Sequence, residues 1–153
     1  MVRVYIERHD TEEASFHGEL AYRYNARPEL LNNLGYLCLA SDDLQRAREL
    51  LEKAMEGYED SEDSPLPGAA LSNYNLGVVE AKQGNLEDAL AKFKLAIEQV
   101  EDAGKKERRC SCLVLPKIAE EGERLKFEEL IDPDLLETAQ SAASAVEELL
   151  RKR

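Results

Sequence analysis

Cys110-Ser111-Cys112 is the densest group of chemically useful side chains in the sequence, with Lys105, Lys106, Arg108 and Arg109 just ahead of it. Nearby cations lower a thiol pKa and favour the thiolate, the form that attacks and that binds metals. Two sulfurs do not make a zinc site, which takes about four ligands. The third cysteine, Cys38, and the histidines His9 and His17 lie far away in the sequence. The cysteines therefore read as small packing residues, and Cys110 and Cys112 would share one face of a hairpin. Carboxylates number 32, so adjacent pairs such as Glu128-Glu129 follow from composition alone. No G-x-S-x-G, P-loop, dinucleotide fingerprint or H-E-x-x-H occurs. The chain is expected to be no enzyme: no catalytic residue, no metal site and no cofactor. Binding is the chemistry left to consider.

Asn33 and Asn75 are the first candidates for it. Each opens an Asn-Leu-Gly tripeptide, and the two tripeptides are 42 residues apart. An amide can bond both a peptide N–H and a C=O, gripping backbone without reading sequence. Asparagine at such a position can equally tie neighbouring helices together. The residues downstream of each tripeptide match as well: Leu44 and Leu86, Ala47 and Ala89, Leu51 and Phe93, Ala54 and Ala96. Self-similarity at this period marks stacked supersecondary units.

The units are helical pairs. Leu30 to Ala40 and Leu71 to Lys82 are the first stretches. Leu44 to Tyr58 and Leu86 to Val100 are the second, with apolar residues at helical spacing. Ser41-Asp42-Asp43 and Gly84-Asn85 are turn chemistry, with Asp or Asn placed to cap the next helix. Helices joined this tightly run antiparallel. A glycine inside a helix costs about 1 kcal/mol relative to alanine. Its double occurrence, at Gly35 and Gly77, predicts a close approach onto Ala47 and Ala89.

This pattern resembles the tetratricopeptide repeat, with units at about 28–61 and 70–103. The resemblance implies a mainly α fold: antiparallel helix-turn-helix repeats in an α-solenoid. It also implies a protein-binding adaptor whose first helices line a concave groove for an extended peptide or a partner protein. On that groove it places Asn33, Tyr36, Tyr74 and Asn75, with Lys105 and Arg109 at one edge. The alternative is a self-associating module, since about three repeats are usually needed for stability and two are present. The eight residues beyond a 34-residue period fall in Glu59 to Pro67, an acidic loop.

The net charge of −12 (20 basic, 32 acidic residues) excludes a nucleic-acid partner, since neutralising phosphates takes a basic stripe. It also disfavours an anionic membrane surface. No run approaches the roughly 18 apolar residues of a membrane span. The first ten residues are too polar for a secretory leader, and three cysteines suit a reducing compartment. A cytoplasmic protein is expected.

Residues 1–153 read as one domain. In the flank 1–27, Val2 to Ile6 is strand or frayed start, and Glu12 to Tyr24 is a helix that would pack on the first repeat as half a unit. After Gly104 the repeat breaks, because Pro116 falls where a third first helix would run. Residues 104–131 read as a β-hairpin, one arm from Cys112 to Ile118 and the other from Leu125 to Glu128, with Gly122 at the turn. Residues 132–153 form a capping helix begun by Asp132-Pro133, striped with Leu135, Leu136, Ala139, Ala142, Ala143, Val146, Leu149 and Leu150. Arg151-Lys152-Arg153 suit the negative end of its dipole.

Overall fold

The computed structural model describes residues 11–24, 27–59, 67–103, 115–130 and 134–153. In chain order these form helices α1 (Thr11–Tyr24), α2 (Pro28–Ala40), α3 (Leu44–Glu59), α4 (Pro67–Lys82) and α5 (Leu86–Ala103), strands β1 (Leu115–Glu121) and β2 (Arg124–Leu130), and helix α6 (Leu135–Arg151). The helical repeats, the hairpin and the C-terminal helix expected from the sequence are all present. The expected strand Val2 to Ile6 and the pair Cys110 and Cys112 lie outside the described residues.

The two helix pairs, α2–α3 and α4–α5, close through the same turn. Asp42 takes φ 62° and Gly84, at the equivalent place, takes φ 84°. The next amide reaches back five residues: Asp43 N–H to Cys38 O at 2.9 Å, and Asn85 N–H to Glu80 O at 2.9 Å. The residue in the left-handed conformation bonds three back, Asp42 to Leu39 O at 3.2 Å and Gly84 to Ala81 O at 3.1 Å. This is the Schellman ending of a helix. Asp43 then caps α3, its Oδ1 accepting from the Arg46 amide at 3.2 Å. Asn85 departs from the expected capping role: its side chain donates to Glu80 Oε2 at 2.9 Å.

The matched glycines are close approaches, with the large residue of the second helix nearer than the alanine expected. A Cβ on Gly35 would lie 2.7 Å from Leu51 Cγ, with the Ala47 carbonyl at 3.4 Å. A Cβ on Gly77 would lie 2.5 Å from the Phe93 ring. The large apolar residue of the second helix fills the notch. The alanines beside it, Ala47, Ala54, Ala89 and Ala96, are all fully buried and let the backbones close.

Helix α4 lies between its neighbours. Every residue from Ala69 to Ala81 is buried, because α2, α3, α5, α6 and β1 all pack against it. A helix buried on all sides has no polar face, and Ala, Leu, Val and Tyr turn outward all round α4. Its polar residues Ser72, Asn73, Asn75 and Glu80 are buried as well and need partners.

Helix α6 packs on α5 as α4 packs on α3, so it takes the place of a third first helix and caps the stack. Its cap is Asp134, not Asp132 as the sequence suggests: Asp134 Oδ1 accepts from the Glu137 amide at 3.1 Å. The hairpin β1–β2 pairs Glu121 with Arg124 across the two-residue turn Gly122-Glu123. Gly122 has φ 67°, the glycine-first geometry of a type II′ turn. The described first arm runs Leu115–Glu121, and its expected start from Cys112 to Val114 lies outside the described residues. Ile118, paired with Phe127, is fully buried, and β1 rests on α4 and α6. Both are first helices in the repeat pattern. The interruption thus folds back over the face those helices share. At the other end α1 packs on α2, and Glu19 reaches Arg46 of α3 at 3.8 Å.

Candidate partner-binding site

Of the first-helix residues expected to bind, Asn75 belongs to an internal hydrogen-bonded band with Asn32, Ser72 and Asn73. Asn75 Nδ2 donates to Asn32 Oδ1 at 3.4 Å, and Ser72 Oγ donates to the same oxygen at 2.9 Å. Asn73 Nδ2 donates to Gln99 Oε1 of α5 at 2.8 Å. Asn32 and Asn75 are both buried, so Asn75 has the inter-helix tie that the sequence left as an alternative role, with Asn32 rather than Asn33 as its counterpart. Asn32 Nδ2 and Asn75 Oδ1 make no hydrogen bond among the described residues.

Tyr36 and Tyr74 are buried too. Tyr74 packs on the Phe93 ring with centroids 5.3 Å apart, and burial pushes its phenol pKa far above the ordinary range. Asn33 is half-buried. Lys105 and Arg109 lie outside the described residues. Cys38 is half-buried, and burial raises its thiol pKa, with Asp43 adding to the rise. Among the described residues no group of His, Cys, Asp and Glu side chains is arranged to hold a metal ion.

A charged hub joins the repeats beside this band. Arg48 of α3 binds Glu80 of α4, and its other nitrogen donates to Gln83 Oε1 at 2.7 Å. The Arg48 hydrogen bond, joined by that from Asn85, holds the Glu80 carboxyl below its ordinary value against the opposing effect of burial.

An open cleft among the described residues sits where the repeat turns meet the hairpin. A cleft of about 500 Å³ is lined by the turn residues Asp42, Leu44, Lys82 and Leu86, the hairpin tip and β2, and the end of α6. That size is within the usual range for ligand pockets, about 300–1,000 Å³. Leu44, Leu86, Leu125, Phe127 and Leu149 supply its apolar lining. Lys82 pairs with Asp42 at 2.8 Å and stands over the Phe127 ring, 5.2 Å from its centroid. Arg124 and Arg153 also line the cleft, are exposed, and make no ion pair among the described residues. Lys152 holds the hairpin tip by binding Glu120 and donating to the Gly122 carbonyl at 3.1 Å.

A family profile of the tetratricopeptide repeat matches residues 26–102, half of the 153-residue chain. The chain belongs to the tetratricopeptide repeat family. Tetratricopeptide repeats are in general protein-interaction modules and typically non-catalytic. No curated protein and no solved structure matches the chain. Among the described residues no helix is long and apolar enough to cross a membrane.

Sequence reasoning singled out none of Arg124, Arg153 and Lys82 as binding residues. Leu44 and Leu86 carried a signal, as matched positions that open the second helices, but they read as core. Only tertiary contact brings them to the hairpin tip of this tetratricopeptide repeat protein.

Proposed function

We propose that this chain is a non-catalytic adaptor that takes a segment of a partner protein on the groove side of its repeats. In this reading the contact is the cleft between the repeat turns and the hairpin tip. The observation that carries it is a cleft lined by half-buried Leu44, Leu125 and Phe127 together with two exposed arginines that make no ion pair among the described residues. An apolar centre with a polar rim is the usual anatomy of a protein-binding surface. Burial of α4 weighs against entry farther along the first helices. Among the groove residues expected from the repeat, half-buried Asn33 is the one described side chain with surface left to offer, and it would be a secondary contact.

The test is site-directed photo-crosslinking. A photoreactive residue in place of Leu125 should capture a protein partner. The same residue in place of Lys53, exposed on α3, should not. Equal capture from both positions, or none from Leu125, ends this reading.

Self-association is a second reading, favoured by one observation. Phe16 and Leu20, one turn apart on α1, are 63% and 43% exposed. Stacking a second copy there would extend the array. Light scattering across protein concentration decides it: a constant monomer mass removes self-association.

A further inference from the structure

We infer that the cleft between the repeat turns and the hairpin recognises a peptide segment in which an aspartate or glutamate stands beside a large apolar residue. This rests on the proposed reading of the cleft as the binding site and adds the chemistry of what it takes. The cleft holds three cations, Lys82, Arg124 and Arg153, against two carboxylates, Asp42 and Glu123. Lys82 is already engaged by Asp42 and by the Phe127 ring. The two arginines make no ion pair among the described residues, and a guanidinium is the side chain best matched to a carboxylate, which it can bond through two parallel N–H groups.

The chain as a whole carries −12, a charge that by itself repels an acidic partner. That repulsion is screened over about 8 Å at physiological salt, whereas a guanidinium in contact is not. Local charge therefore decides. The same background disfavours a polyanion, whose extended charge would meet the acidic surface beyond the cleft. A single carboxylate gains the arginines and avoids that surface. Its apolar neighbour would bury against Leu125 and Phe127, half-buried on the hairpin, and Leu149. The arginines sit on the hairpin and at the end of α6, outside the matched repeat residues.

The experiment selects from a random peptide library displayed on phage against the full chain. Enriched peptides should place Asp or Glu beside Leu, Ile or Phe. The most enriched peptide should then lose about tenfold in affinity on Arg124→Glu with Arg153→Glu, measured by fluorescence anisotropy, as two exposed charge contacts together can supply. Arg23→Glu with Arg27→Glu makes the same change in net charge at positions elsewhere and should shift affinity less than twofold. Enrichment without acidic residues, no enrichment, or equal effects of the two double variants overturns the inference. So does a concentration-dependent oligomer that Arg124→Glu with Arg153→Glu abolishes, because the occupant is then a second copy. Crosslinking from Leu125 separates the levels. An enriched peptide lacking carboxylates that still crosslinks there removes the acidic chemistry and leaves the cleft as the site. Acidic peptides that fail to crosslink there remove the cleft itself.

Discussion

Replacing Gly77 by alanine should destabilise the protein even though it installs the better helix former. Propensity alone favours the change by about 1 kcal/mol. Against that, the new Cβ would stand 2.5, 2.7 and 3.1 Å from three carbons of the Phe93 ring. Carbon pairs are comfortable at about 3.5–4.0 Å, so the ring must retreat by roughly 1 Å. It has nowhere to go. Phe93 is fully buried, and its ring is backed by the equally buried Tyr74. Overpacking of this kind costs about 1–3 kcal/mol. The net loss should be about 1 kcal/mol, approaching 2 if the ring is forced off its rotamer.

Gly35→Ala meets Leu51 Cγ at 2.7 Å and Cδ2 at 2.9 Å instead, a slightly looser contact than 2.5 Å on a rigid ring, so its net cost should be smaller. Phe93→Leu gives the second repeat the first repeat's pairing. In that background the cost of Gly77→Ala should fall to that of Gly35→Ala. Urea unfolding of the wild type and these variants, read as midpoint times slope, measures this. A Gly77→Ala that raises stability would refute the reasoning. So would an identical cost in both backgrounds, since residues in contact should not be additive.

The remaining predictions use the same measurement. Gly84→Ala should cost about 1–2 kcal/mol by forcing a side chain to positive φ. Gly84→Asp should cost less, because Asp42 already occupies the matched turn at φ 62°; an aspartate worse than alanine there would contradict the equivalence. Glu80→Gln should cost about 2 kcal/mol at neutral pH, the scale of a hydrogen bond to a charged group. The Glu80 carboxyl is depressed in the fold, so its contribution is complete above the ordinary glutamate value and is lost as pH falls through the folded one. Stability of the wild type should therefore drop more steeply than that of the variant below about pH 4.5, and parallel pH curves would exclude this role. Ile118→Ala, at a fully buried strand position, should cost about 2–5 kcal/mol and speed amide exchange in β1 and β2 before exchange in α4.

The repeats were legible because their signal is local and doubled. Leu34-Gly35 and Leu76-Gly77 recur with the residues that fill and flank the glycine notch, and a helix pair needs little else to declare itself. The hairpin was legible from Pro116, Gly122 and the alternation after it. The face it covers was not. Nothing local in Tyr74 or Asn75 says that they lie inside, since what covers them comes from elsewhere in the sequence, Phe93 against Tyr74 and Asn32 bonded to Asn75. The cleft was hidden for the same reason. Arg124 is one arginine in an acidic chain, and Arg151-Lys152-Arg153 read as partners of the helix dipole. In the fold Lys152 spends its charge on the hairpin tip and Arg153 faces the cleft. The cap of α6 shows the limit at short range: Asp132 and Asp134 both flank Pro133, and only the fold picks Asp134.

The hairpin is what makes this array unlike an open stack. Two strands alone are marginal in water, so β1 and β2 persist by burying Ile118 between α4 and α6 and by the grip of Lys152 on the tip. The dependence runs the other way too. With only two full repeats, α4 would expose apolar surface along the shared face of the first helices, and β1 covers it. Stability and recognition therefore fall on the same segment. Whatever loosens the hairpin uncovers the surface of α4 and α6 on which β1 rests, and whatever fixes the tip sets the width of the cleft beside Leu125 and Phe127. A partner seated there would touch both repeat turns, the hairpin and the end of α6 at once. It would bind the folded arrangement better than any looser one, and so stabilise the closure that forms its own site.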